Sequence, residues 1–140
     1  MSRVFWDTNL FIYLFEDYGA LSESVARLRS RMLERNDQLL TSTLTLGEIL
    51  VKPSEKKDAA LCAKYEQAIA ATATMIGFDV KAAKVYAQLR SNRSLRAPDA
   101  IQLACAGSAG TDLFVTNDER LQGKQAPGVQ FIVPLTRTPI

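Results

Sequence analysis

Histidine is missing from all 140 residues of the chain. Without imidazole there is no Ser-His-Asp triad, no histidine general base and no His-containing zinc site. Cysteine is scarce too, with Cys62 and Cys105 the only two. Two thiols cannot close a thiolate zinc site. Both lie in Ala-rich helical patterns and read as buried free thiols rather than a disulfide framework. Long apolar runs are absent, since "FIYLF" falls far short of the roughly 20 residues that span a bilayer. The N-terminus "MSRVFWD" reaches an acid too soon for a signal peptide, so the expectation is a cytoplasmic protein with no membrane contact. An excess of one charge is lacking as well: 17 Lys and Arg face 15 Asp and Glu, a net +2 that selects no partner. Any hydrolysis must then run on carboxylates, and carboxylates with water suit Mg2+ or Mn2+.

What is present is ordinary for one globular domain. The hydrophobic fraction is 47% and the charged fraction 23% over a length that can bury a core. "RVFWD" reads as a buried first strand and "TNLFIYLFED" as a helix. "ALSESVARLRSRMLERN" places Leu21, Val25, Leu28 and Met32 on one helical stripe, with arginines on the other face. "QLLTSTLT" reads as a second strand, "LGEILVKP" as a short helix stopped by Pro53, and "EKKDAALCAKYEQAIAAT" as a long helix with Leu61, Tyr65 and Ala68 in register. "TMIGFD" is a third strand. "VKAAKVYAQLRSNR" and "APDAIQLACAGSAG" are helices, the second opened by Pro98. "DLFVTND" and "VQFIVPL" are the last strands, separated by a helical turn at "ERLQG". Strands alternating with helices mean a parallel sheet covered on both faces, whose ligands bind beyond the carboxyl ends of the strands.

Four acids fall where such a ligand would sit, and each also has a plain structural role. Asp7 closes the first strand and can cap the following helix. Thr45 and Glu48 have the spacing of a capping box. Asp99 follows Pro98 in a first helical turn, where the helix dipole favours an acid. Asp118 ends "LFVTND" and can cap the next turn, with Asn117 competing for that role. Asp112 precedes the same strand and belongs at the opposite end of the sheet. Taken together the four acids converge on one rim, and crowded carboxylates stay ionised only beside a cation. A divalent ion there can polarise a phosphoryl oxygen and acidify a water.

The order "VFWDTN", "TSTLTLGEIL", "RAPDAIQLACA", "LFVTNDERL" resembles a PIN-domain ribonuclease, and within that superfamily is similar to the VapC-type toxins of bacterial toxin–antitoxin pairs. The resemblance covers essentially the whole chain and implies a single PIN domain over residues 1–140, an α/β/α three-layer sandwich around a parallel sheet. It implies catalytic and metal-binding roles for Asp7, Glu48, Asp99 and Asp118 with Mg2+ or Mn2+. Asp7 and Asp99 are the tightest expected ligands, while Glu48 and Asp118 position water or a second ion. Thr116 resembles the hydroxyl residue that supports the fourth acid, and Asn9 the amide beside the first. The implied reaction is metal-dependent hydrolysis of RNA phosphodiesters, with a cognate antitoxin as partner and a homodimer as the expected assembly.

Arg90, Arg93 and Arg96, just ahead of Asp99, are candidates for RNA phosphate contacts; a solvated helix end explains them equally well. The aromatic residues Phe5, Trp6, Phe11, Tyr13, Phe15 and Tyr18 read mainly as core. Part of that cluster, with the helix "ESVARLRSRMLER", is a candidate groove or dimer face for an apolar partner segment. Other readings remain open. One is a catalytically silent PIN-like scaffold binding RNA or protein, although all four acids are intact. A phosphatase with paired aspartates is disfavoured because Asn9 stands where the second Asp belongs. A receiver-type domain is disfavoured because adjacent acids near the first strand and a Lys after the last are not evident.

Overall fold

The computed structural model describes all 140 residues. Five strands, β1 (Arg3–Trp6), β2 (Gln38–Ser42), β3 (Thr74–Ile76), β4 (Thr111–Val115) and β5 (Val129–Val133), form one sheet in the order β3-β2-β1-β4-β5. Every pairing is parallel, with Val4 opposite Leu39 on one side and Leu113 on the other. The helices are α1 (Thr8–Phe15), α2 (Ala20–Arg35), α3 (Thr43–Glu55), α4 (Ala59–Thr72), α5 (Val80–Arg90) and α6 (Ala97–Ala109).

Parallel strands buried on both faces read as continuous apolar runs, and "VFW" is one because β1 is the central strand. Successive side chains alternate between faces. Val4 and Trp6 therefore pack with Leu10, Phe11, Val25, Met32, Ile49 and Ile69 from α1 to α4. Phe5 points the other way, with Leu40, Phe114, Leu89 and the apolar face of α6. Two cores flank one sheet, which is the three-layer α/β/α arrangement expected from the alternating pattern. Phe5 stacks on Phe114 across β1 and β4 at 5.1 Å between ring centroids. Such a pair adds about 0.5–1.5 kcal/mol beyond its area burial.

Both edge strands are partly uncovered: Thr74 in β3 is exposed, and so is Phe131 in β5. The start of β5 is fixed by backbone packing. A Cβ on Gly107 would lie 2.0 Å from the Pro127 carbonyl oxygen, and Gly128 has φ +81° and a similar approach to Gly107. Only glycine lets the end of α6 sit this close to the turn before β5.

Two boundaries and one burial differ from the sequence reading. The second strand stops at Ser42, whose hydroxyl caps α3 by accepting from Thr45 N. Thr45 is thus the third residue of α3 and no cap, and the Thr45–Glu48 capping box does not form. A β-rich composition at residues 43–45 is overridden by the Ser42 cap. Pro53 does not stop α3, which runs on to Glu55. A proline near a helix end removes one hydrogen bond that the final turn can forgo, and Pro53 is buried there. Third, Cys62 is only half-buried, while Cys105 is fully buried and its thiol is pushed up to about 11 by desolvation.

The α2 stripe of Val25, Leu28 and Met32 is buried as its spacing requires. On α4 the buried residue is Ile69, with Leu61, Tyr65 and Ala68 half-buried beside it. No helix is long and apolar enough to cross a membrane.

Candidate functional site

The carboxyl ends of β1, β2 and β4 turn directly into the segments carrying Asp7, Glu48 and Asp118, while Asp99 comes from the start of α6, after α5. Asp7 follows the last residue of β1 and caps α1, its Oδ1 accepting from Thr8 N at 2.8 Å. Asp118 stands three residues past β4 and caps a 3-10 turn over Glu119–Leu121. Asp99 is the third residue of α6, behind Pro98. Glu48 lies in the second turn of α3. Their plain roles hold for Asp7, Asp99 and Asp118, yet the same placement aims all four into one polar hollow of about 390 Å3, with Thr8, Asn9, Arg96, Pro98 and Gln102 in its walls. Asp112 sits at the other end of the sheet, accepting from Arg3 N at 2.8 Å.

The acids differ in surroundings. Burial pushes the Asp7 carboxyl up, the Thr116 hydroxyl and Thr8 amide pull it back, and the charges of Glu48 and Asp99 push it up again. Thr116 Oγ1 donates to Asp7 Oδ2 at 2.7 Å and accepts from Asp118 N at 3.1 Å. This one hydroxyl therefore braces the carboxylate of the first acid and the backbone of the fourth. Asp118 is held low, chiefly by the Arg120 guanidinium, which grips both carboxylate oxygens at 2.9 and 2.6 Å. Arg96 lies between two acids, with Nε 3.3 Å from Asp99 and a terminal nitrogen 3.9 Å from Asp118.

Of the three arginines singled out from sequence, only Arg96 reaches the hollow. Arg90 folds back on its own loop, donating to Leu95 O at 2.5 Å, and Arg93 is exposed in the turn between α5 and α6.

Beneath the acids lies a layer of hydroxyl and carboxamide groups that sequence reasoning missed. Gln102, 3% exposed on α6, donates from Nε2 toward Thr45 Oγ1 at 2.8 Å, Thr8 Oγ1 at 3.2 Å and Asp7 Oδ1 at 3.3 Å. Its Oε1 accepts from the Ser42 hydroxyl. Thr8 Oγ1 donates to Glu48 Oε1 at 2.6 Å. A signal was available: Gln102 follows Asp99 by three residues on one helix, so both share a face. Arg120 was likewise within reach, two residues beyond Asp118.

The donors facing the hollow are hard oxygens: three carboxylates not gripped by Arg120, the Thr8 hydroxyl, and Asn9, whose Oδ1 is buried without a hydrogen-bond partner. This set suits Mg2+ or Mn2+ and offers nothing to a soft metal. No three carboxylates surround a single point. The hollow is an open basin rather than a closed cage, a form compatible with Mg2+, which keeps several waters and needs only one or two carboxylates.

An apolar groove of about 370 Å3 adjoins the basin and shares Ile12 and Glu48 with it. Phe15, Tyr18, Ile49, Pro53 and Tyr65 line it. Part of the aromatic cluster therefore does form a groove, but against α3 and α4; α2 contributes nothing to its lining.

No curated protein gives a significant match to the sequence. Solved structures do match. A chain of the VapBC2 complex from Rickettsia felis, bound to a DNA fragment from its promoter, superposes with TM-score 0.74 at 17% identity, covering 94% of this chain and 97% of that one. A toxin–antitoxin complex from Klebsiella pneumoniae gives TM-score 0.64 at 24% identity over 93% and 99% of the two chains. DNA-bound VapBC from Salmonella typhimurium gives 0.67 at 19% identity over 96% and 99%. At such identities these likenesses establish the fold. The PIN domain family model matches residues 4–126, most of the chain and all four acids. The chain belongs to the PIN domain family.

Proposed function

We propose that the protein is a Mg2+- or Mn2+-dependent endoribonuclease acting in the cytoplasm as the toxin of a type II toxin–antitoxin pair. The observation that carries this reading is the convergence of Asp7, Glu48, Asp99 and Asp118, from four separate segments, on one polar basin. Asp7 and Asp99 would hold such an ion, with Asn9 Oδ1 available beside them. A divalent ion held there neutralises the acids, polarises a phosphoryl oxygen and acidifies water.

The chain supplies the rest. Glu48 has Oε1 engaged by Thr8, so Oε2 is the atom left to take a proton from the attacking water. Asp118 holds Arg120 and Arg96 at the rim, where their guanidinium groups suit a phosphodiester. Arg93, and Arg90 if its loop opens, extend that positive edge along an RNA strand. The apolar groove beside the basin is the seat for an antitoxin segment, and its shared Glu48 brings such a segment to the acids. A homodimer is the assembly proposed for the free protein.

A silent scaffold is the second reading, favoured by the grip of Arg120 on Asp118 and by the open spacing of the carboxylates. One experiment separates the two. Wild type and Asp7→Asn are induced in cells, and the purified proteins are incubated with RNA plus Mn2+ or EDTA. The nuclease reading expects growth arrest and RNA fragments from wild type alone, only with metal. Equal growth and intact RNA in both arms would leave the scaffold.

A further inference from the structure

We propose that Gln102 is a positioning residue whose single carboxamide sets the orientations of Asp7 and Glu48 as a unit. The inference rests on the metal-dependent reading of the basin and extends it to a residue one layer below the acids.

Proton counting fixes the direction of the network. The Trp6 carbonyl can only accept, and Thr41 Oγ1 lies 2.9 Å from it and 2.8 Å from Thr45 Oγ1. Thr41 has one proton, which goes to the carbonyl, so the Thr45 proton goes to Thr41. Thr45 then receives one Gln102 N–H, at 2.8 Å. The second N–H is shared between Thr8 Oγ1 at 3.2 Å and Asp7 Oδ1 at 3.3 Å. Thr8 in turn gives its proton to Glu48 Oε1, an ionised acceptor at 2.6 Å.

At the other end Ser42 donates to Gln102 Oε1. Turning the amide over would set Oε1 against the Asp7 carboxylate, oxygen against anionic oxygen, and would lose the donations to Thr45, Thr8 and Asp7. The amide therefore has one orientation, built from β2, α1 and α3, all of which deliver their polar atoms to it.

Asp7 accepts from Thr8 N, Thr116 Oγ1 and Gln102 Nε2. A carboxylate offers about four lone-pair sites. Those three donors leave it about one lone-pair direction with which it could meet a cation. Glu48 is tied to the same amide through Thr8. Thr8 and Glu48 lie 40 residues apart in sequence, yet one buried side chain registers both acids.

The test uses Mn2+ binding to the metal-free full chain by calorimetry, with melting temperature recorded for every variant. Gln102→Met keeps shape and removes both donors. Partners one layer behind a metal ligand typically change affinity by about 10- to 100-fold when removed. Gln102→Met should weaken Mn2+ by that factor, while Gln102→Asn, which keeps the amide, recovers part of it. Thr8→Val cuts only the branch to Glu48 and should also weaken binding. The Gln102→Met/Thr8→Val double variant should lose less than the product of the two single losses. Unchanged Mn2+ affinity in folded Gln102→Met overturns the proposal. If Gln102→Met does not fold, unchanged affinity in Thr8→Val overturns it instead. Asp7→Asn separates the two levels: if that variant binds Mn2+ as wild type does, the metal reading itself fails, whatever Gln102 does.

Discussion

Replacing Asp7 by Asn removes a charge that the fold holds at a cost, and it should raise stability in the absence of metal while abolishing metal-linked stability. The carboxyl sits largely desolvated against Glu48 and Asp99, and it titrates above its ordinary 3.8 in the folded chain. An acid raised in the folded state binds its proton more tightly there than in the unfolded chain. The resulting penalty is absent below pH 3.8, grows as the pH rises past that value, and is complete above the raised value. Wild type bears the whole penalty wherever Asp7 is ionised in the folded chain. Asn accepts from Thr8 N and Gln102 through Oδ1 and donates to Thr116 through its amide, once that hydroxyl rotates. The cap and network thus survive without the charge. Relieving such a functional-site strain commonly yields about 0.5–2 kcal/mol. A chain of 140 residues unfolds with an entropy near 0.3 kcal/mol/K, so the melting temperature in EDTA should rise by about 2–7 °C. Mn2+ at a hundred times its dissociation constant should stabilise wild type by about 2.7 kcal/mol, roughly 9 °C on the same scale. The variant should not respond. The two melting curves therefore exchange order between EDTA and Mn2+, as read by differential scanning calorimetry. A variant less stable than wild type in EDTA would refute the view that Asp7 is strained for binding.

Arg29 on α2 is half-buried; its Nη1 lacks any hydrogen-bond partner, and Nη2 reaches only Thr72 O at 3.4 Å. Arg29→Met keeps the stem and removes the unsatisfied cation, so thermal denaturation should show a gain of about 1 kcal/mol. Gly107→Ala drives a methyl group into the Pro127 carbonyl, and urea titration should show a loss of about 1–3 kcal/mol or more as β5 is displaced. Arg96→Ala should reduce the salt slope of RNA binding by about 0.7 for each phosphate that the guanidinium neutralises. The same change at Arg93, which touches nothing in the basin, tests whether the positive edge extends along the loop; an unchanged slope at both positions would remove arginine from the RNA path.

The parts legible in the sequence are those governed by period and by strand ends. "VFW" announces a strand buried on both faces, and β1 is central; the Val25, Leu28 and Met32 stripe is buried as spaced. Asp7, Glu48, Asp99 and Asp118 could be assigned to one rim because the strand ends and helix starts of a parallel sheet gather there. What escaped was tertiary. Ser42 beat Thr45 to the cap because a neighbouring strand ended there, which no local propensity records. Gln102 drew no reading from the sequence. Its meaning needs Ser42, Thr45 and Thr8 from three other elements. Arg120 drew no reading either, although its target lies two residues back.

Asp7 and Thr116 meet only because β1 pairs in parallel with β4, with Trp6 opposite Val115. The first and last acids thus come from opposite ends of synthesis. A growing polypeptide cannot assemble the basin until residues beyond 118 have left the ribosome and β4 has docked. Prematurely terminated products carry Asp7, Glu48 and even Asp99 without the strand that lines them up. The basin is therefore complete only after the chain has been made through Asp118 and β4 has joined β1, however early its first acid emerges.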